Sequence, residues 1–127
     1  MTDPTFERDA TAICEKSIPK LRAVRRDGET QADDLEQQTA TEVDRVATKL
    51  EGVVDQLRAV KARPANQAQV DAWFGHFDDY IAAGRNYADA LRTGTDALYN
   101  KVDDEGVEPL KAISKFARAN YIDACIP

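Results

Sequence analysis

The sequence predicts an all-α protein, an antiparallel up-down-up-down four-helix bundle. Apolar residues recur at steps of three and four along almost the whole chain, which marks one face of a helix, turn after turn. No stretch alternates apolar and polar residues with a period of two, and no Asn-Gly turn occurs, so nothing reads as a strand or hairpin. The polar breaks between helical stretches are short, and short connections make successive helices antiparallel neighbours.

The first helix is expected over 4–27. Asp3 is an N-cap acceptor, and Pro4 suits the first helical position, where no amide donor is needed. Phe6, Ala10, Ile13, Cys14, Ser17, Leu21 and Val24 then share a face. Pro19 lies inside this pattern and is expected to kink the helix, and Gly28 is expected to stop it. The second helix is expected over 31–62. Leu35, Thr39, Val43, Val46, Leu50, Val53, Leu57 and Val60 form an unbroken heptad seam, with charged and amide residues elsewhere. Arg63-Pro64 ends it, because the residue before proline avoids helical angles.

Asn66 is the expected cap of a third helix over 67–103. Val70, Trp73, Phe74, Phe77, Tyr80, Ile81, Gly84, Tyr87, Ala88, Leu91, Leu98 and Val102 carry its apolar face, with a weak point at Thr93-Gly94-Thr95. After the polar turn Asp103–Gly106, Pro109 sits near the start of a fourth helix over 107–124. Leu110, Ile113, Ala117, Tyr121 and Ala124 share its face. The sustained heptad spacing favours near-parallel packing at roughly 20°.

All of this fits one domain spanning residues 1–127. Apolar residues are 43% and charged residues 31%, too apolar for a disordered chain. Lys and Arg number 17 against 23 Asp and Glu, a net charge of −6. An acidic surface disfavours nucleic acid and anionic membrane as partners. No apolar run approaches the ~18 residues of a membrane span, and Met1-Thr2-Asp3-Pro4 does not open a signal peptide.

The chain has one histidine, His76, and two cysteines, Cys14 and Cys125. A di-iron bundle needs a second Glu-x-x-His pair, and a zinc ribbon needs a fourth Cys or His. No Gly-x-Ser-x-Gly elbow, Walker loop or Gly-x-Gly-x-x-Gly turn occurs. No catalytic, cofactor-binding or metal-ligating set is therefore expected, and the chain does not read as an enzyme.

The two cysteines lie one near each end, both on or beside an apolar face. In an up-down bundle the fourth helix descends beside the first and brings Cys125 within about a turn and a half of the level of Cys14. A Cys14–Cys125 disulfide is expected. It closes a loop of ~110 residues, for which the chain-entropy argument gives nearly 5 kcal/mol. A structural disulfide implies an oxidising compartment. The expected location is extracytoplasmic, behind a signal, lipidated anchor or membrane helix preceding this stretch. A cytoplasmic protein with both thiols reduced is the alternative.

The chain resembles a group of actinobacterial extracytoplasmic helical domains, anchored as lipoproteins or by a membrane helix, with a cysteine near each end. The resemblance rests on Ala10-Thr11-Ala12-Ile13-Cys14, on Ala119-Asn120-Tyr121-Ile122-Asp123-Ala124-Cys125, and on two long helices joined through Arg63-Pro64-Ala65. It implies a fold and a compartment. The group has no assigned activity, so no functional residue carries over. A second, more local resemblance is to the helical hairpins exported by type VII secretion, through Trp73-Phe74-Gly75 and Tyr99-Asn100-Lys101-Val102-Asp103. In those hairpins the Trp-x-Gly lies in the turn, whereas here it falls inside a helix.

The stripe Trp73, Phe77, Tyr80, Gly84 and Tyr87 has two readings. It can line an apolar ligand pocket, or it can be core, with Tyr and Trp each finding one polar partner. Core is favoured. His76 and Asp79, one turn apart on the polar side, read as solvated rather than as a metal pair. Asp103-Asp104-Glu105 lacks a calcium-loop pattern and reads as a charged turn. Lys20–Arg26, the one basic cluster, suits a helix C-terminus. The expected function is non-enzymatic: contact with a protein or cell-envelope partner, or ligand sensing, by a monomer whose heptad seam is used internally. A dimer through that seam is the alternative assembly, and a small apolar-ligand carrier or a cytoplasmic or type VII-exported interaction protein the alternative function.

Overall fold

A computed structural model describes residues 1–26, 35–94 and 104–127. The described residues are all-α: helices α1 (Pro4–Arg26), α2 (Leu35–Arg58), α3 (Gln67–Thr93) and α4 (Val107–Ala119), then a 3₁₀ turn at Asp123–Cys125. No strand occurs among them. The expected ends at Asp27 and Gly28, the expected start at 31–34, and the expected continuation of the third helix over 95–103 lie outside the described residues.

Helix α1 packs on α2, α2 on α3 and α3 on α4. The backbones of α1 and α4 do not approach closely, and the 3₁₀ turn touches both. It carries the expected disulfide: Cys14 and Cys125 are bonded, with Cα atoms 5.0 Å apart and a separation of 111 positions in sequence.

The fourth helix is shorter than the periodicity predicted. It stops at Ala119 instead of running to 124. The stop is a Schellman motif, in which the amide of Ile122 donates to Ala117 O at 2.9 Å and that of Tyr121 to Arg118 O at 3.5 Å. Tyr121 occupies the left-handed position, φ 59°, that glycine usually takes. A non-glycine residue there costs roughly 1–2 kcal/mol. Burial of Ile122 on the far side of the motif opposes that cost.

The second helix ends at Arg58, several residues before Pro64, and Ala59–Asn66 form the connection. Helix α1 continues through Pro19, whose side chain is exposed. Helix α3 closes at Thr93, at the expected weak point, instead of running unbroken to 103. Gly94 adopts φ 65° and its amide donates to Ala90 O, a left-handed C-cap that glycine adopts without steric cost.

The cap expected at Asn66 is not made. Its side chain is taken by the start of α1, donating through Nδ2 to Thr2 O at 3.1 Å and to Asp3 Oδ2 at 3.5 Å. Asp3 is buried and binds in two directions. Its Oδ1 accepts from the amide of Phe6 at 3.3 Å, capping α1 as expected. Its Oδ2 accepts from the amide of Arg63 at 2.7 Å, fastening the α2–α3 connection. The Arg63 amide is the main cause that holds the Asp3 carboxyl below the usual aspartate range. Desolvation opposes it, and the bonds from Phe6 and Asn66 add to it.

Because the folded-state pKa is depressed, this carboxylate's contribution to stability is complete above the ordinary aspartate pKa of about 4 and is lost as the pH falls through the folded value. Asp3→Ala is expected to lower stability at pH 7 by about 2–3 kcal/mol, one lost cap plus a stranded amide at Arg63. In urea titrations the gap between wild type and variant should narrow as the pH drops below about 4. A gap independent of pH would show that the carboxylate's charge contributes nothing.

The main core surrounds Trp73, which is fully buried. Phe116 stacks on it at 5.0 Å between ring centroids, and Phe77 meets it edge-on at 5.1 Å. Phe6 approaches from α1 at 6.4 Å. The indole Nε1 donates to Ile113 O at 3.3 Å, which satisfies the one polar atom of the ring. Leu50, Val53, Leu57, Val70, Ile81 and Ile122 complete this core. A second, smaller cluster of Ala40, Ala88 and Leu91, flanked by Val43 and Tyr87, lies between α2 and α3.

Candidate functional site

The apolar stripe of α3 has two environments. Trp73 and Phe77 are fully buried in the main core. Tyr80, Gly84 and Tyr87, further along the same face, line a groove of about 460 Å³ between α2 and α3. The structure therefore places the first two residues of the candidate pocket in the packed interior and brings the other three together on one wall. Ile81, Ala83 and Gly106 extend that wall, and Thr39, Glu42, Val43, Val46, Ala47 and Leu50 of α2 form the other.

The groove exists because of what α2 and α3 present to each other. The heptad seam of α2 is buried at Leu50, Val53 and Leu57, where the other helices meet it. At Thr39, Val43 and Val46 the same seam is only half-buried. Gly84 faces Val43: a Cβ on Gly84 would stand 3.7 Å from Val43 Cγ1, an ordinary contact. No protein-family model, curated protein or solved structure matches this chain.

The electrostatics along the hairpin are uneven. Arg58 donates to Asp78 at 2.7 Å and lies over the Phe74 ring, 5.1 Å from its centroid. Arg85 pairs with Glu51, and Arg92 pairs with Asp44 at 2.5 Å. Glu42, on the groove wall, has no such partner among the described residues: its Oε1 is buried and makes no hydrogen bond to them. Periodicity did not single out Glu42, since a charged residue beside a heptad seam reads as solvated.

The remaining sequence candidates do not assemble. His76 is half-buried and Asp79 exposed. Among the described residues no group of three or more His, Cys, Asp or Glu side chains is placed to hold a metal. Asp104 and Glu105 are exposed, and Asp103 lies outside the described residues. Trp73-Phe74-Gly75 is inside α3 and not in a turn. Tyr99–Asp103 lies outside the described residues. No helix among the described residues is long and apolar enough to cross a membrane.

Proposed function

We propose that this chain is a non-enzymatic, extracytoplasmic ligand-binding domain, and that the α2–α3 groove takes up an apolar small molecule for sensing or carriage. The groove carries this reading. Its walls are aliphatic and aromatic, with few polar groups, and its volume falls in the range of roughly 300–1,000 Å³ common to small-molecule sites. The buried disulfide supports the oxidising compartment.

The antiparallel up-down-up-down arrangement belongs to the same proposal. The ion pairs Asp44–Arg92, Glu51–Arg85 and Arg58–Asp78 support it for α2 and α3. Each advance of seven residues along α2 is matched by a retreat of seven along α3. The proposed state is a monomer, because Leu50, Val53 and Leu57 of the α2 seam are consumed in the main core.

Binding of a neutral apolar dye such as Nile red tests the groove. Saturable binding to the wild type is expected, and Gly84→Ala should keep it, since the added methyl meets only Val43. Gly84→Leu should fill the groove and weaken binding by at least about tenfold, roughly the 1.5–3 kcal/mol of one buried aliphatic side chain. Circular dichroism should show both variants as helical as the wild type. Absence of saturable binding, or a Gly84→Leu protein that binds like the wild type, would overturn the reading.

A further inference from the structure

Three acidic side chains of α2 stand near α3, and two of them are held by arginines: Asp44 by Arg92 and Arg85, Glu51 by Arg85. Glu42 is the third. It lines the groove, one of its carboxylate oxygens is buried, and among the described residues that oxygen accepts no hydrogen bond. An acceptor stranded in this way is costly, and a donor that reaches it recovers the cost. The same groove is lined by the apolar side chains Val43, Val46, Leu50, Ile81 and Tyr80. The combination is an apolar slot with one anionic end-point on its wall.

The geometry points to a cationic amphiphile as the ligand class: an aliphatic or aromatic tail lying in the groove and a protonated amine donating to Glu42. This deepens the proposal that the groove binds apolar molecules, and it rests on that reading. The amine is favoured over a neutral head because hydrogen bonds between charged partners are the stronger ones. A fatty acid is disfavoured, because its carboxylate would meet a like charge. The ion pair sits at the edge of an apolar groove, where screening by water is reduced.

The test is displacement of Nile red at pH 7 by three ligands of equal chain length, decylammonium, decanol and decanoate, each below its micellar concentration. Decylammonium should displace the dye at about tenfold or more lower concentration than decanol, the ratio expected for one charge-assisted hydrogen bond. Decanoate should be the weakest of the three. In Glu42→Gln the ammonium and the alcohol should fall within about threefold of each other while the dye still binds. Gly84→Leu should lose all three, which separates the groove from non-specific attraction of a cation to an acidic protein. If the dye and decanol bind but decylammonium has no Glu42-dependent advantage, the ligand class is wrong and the groove reading stands. If neither the dye nor any of the three binds, both fail.

Discussion

Phe77→Ala should lower the unfolding free energy by about 3–5 kcal/mol, the range for truncating a buried aromatic residue. Phe77 is fully buried, and its ring meets Trp73 edge-on at 5.1 Å. Trp73 is itself held by Phe116 on one side and by its hydrogen bond to Ile113 O. The site therefore cannot collapse without breaking contacts to α1 and α4 together, and a cavity would remain. Tyr80→Ala, one turn further along the same face, is expected to cost only about 1 kcal/mol, because Tyr80 is half-buried and lines the groove. Urea denaturation of the two variants, followed by circular dichroism, reads the difference. Equal losses would mean that the stripe is one continuous core or one continuous pocket.

That contrast shows where sequence reading stops. The spacing of Trp73, Phe77, Tyr80, Gly84 and Tyr87 says that these residues share a face of α3. It does not say what lies opposite. Phe6 and Phe116 come from the two ends of the chain to cover Trp73, and no local pattern encodes their arrival. The heptad seam of α2 has the same property: Leu50, Val53 and Leu57 are core, whereas Val43 and Val46 line the groove. Local signals with a local cause were legible. Asp3 caps α1, Gly94 closes α3, and α1, α3 and α4 begin where three-four periodicity places them, although α2, α3 and α4 end earlier.

The misses have non-local causes or lack a distinctive residue. Asn66 does not cap α3 because Thr2 and Asp3 compete for its side chain from more than 60 positions away. The end of α4 is not legible in the sequence because its Schellman motif carries tyrosine at the left-handed position, with neither glycine nor proline to mark it. Glu42 carries no sequence signal, because only the buried Oε1, unbonded among the described residues, distinguishes it from any other charged residue beside a seam.

Removing the disulfide should destabilise the domain about as much as removing Phe77, by a different route. Cys14 and Cys125 lie 111 positions apart, so the bond restricts nearly the whole unfolded chain. The entropic limit for a loop of that size is nearly 5 kcal/mol, and measured effects are typically 2–4 kcal/mol. For a domain of 127 residues this corresponds to a drop in melting temperature on the order of 10 °C. The bond also has a local task. The backbones of α1 and α4 do not approach closely, and the 3₁₀ turn that carries Cys125 packs against both. Cutting the link should loosen the turn, and with it Ile122, before the helices themselves unfold. Alkylation followed by mass measurement should find no free thiol until reductant is added. The Cys14→Ser/Cys125→Ser double variant should melt about 10 °C below the wild type, with its helix content at low temperature preserved. Faster amide exchange should appear first at 120–127. Two freely alkylated cysteines in the unreduced protein, or a double variant that melts with the wild type, would show that the two ends of the chain are held by packing alone.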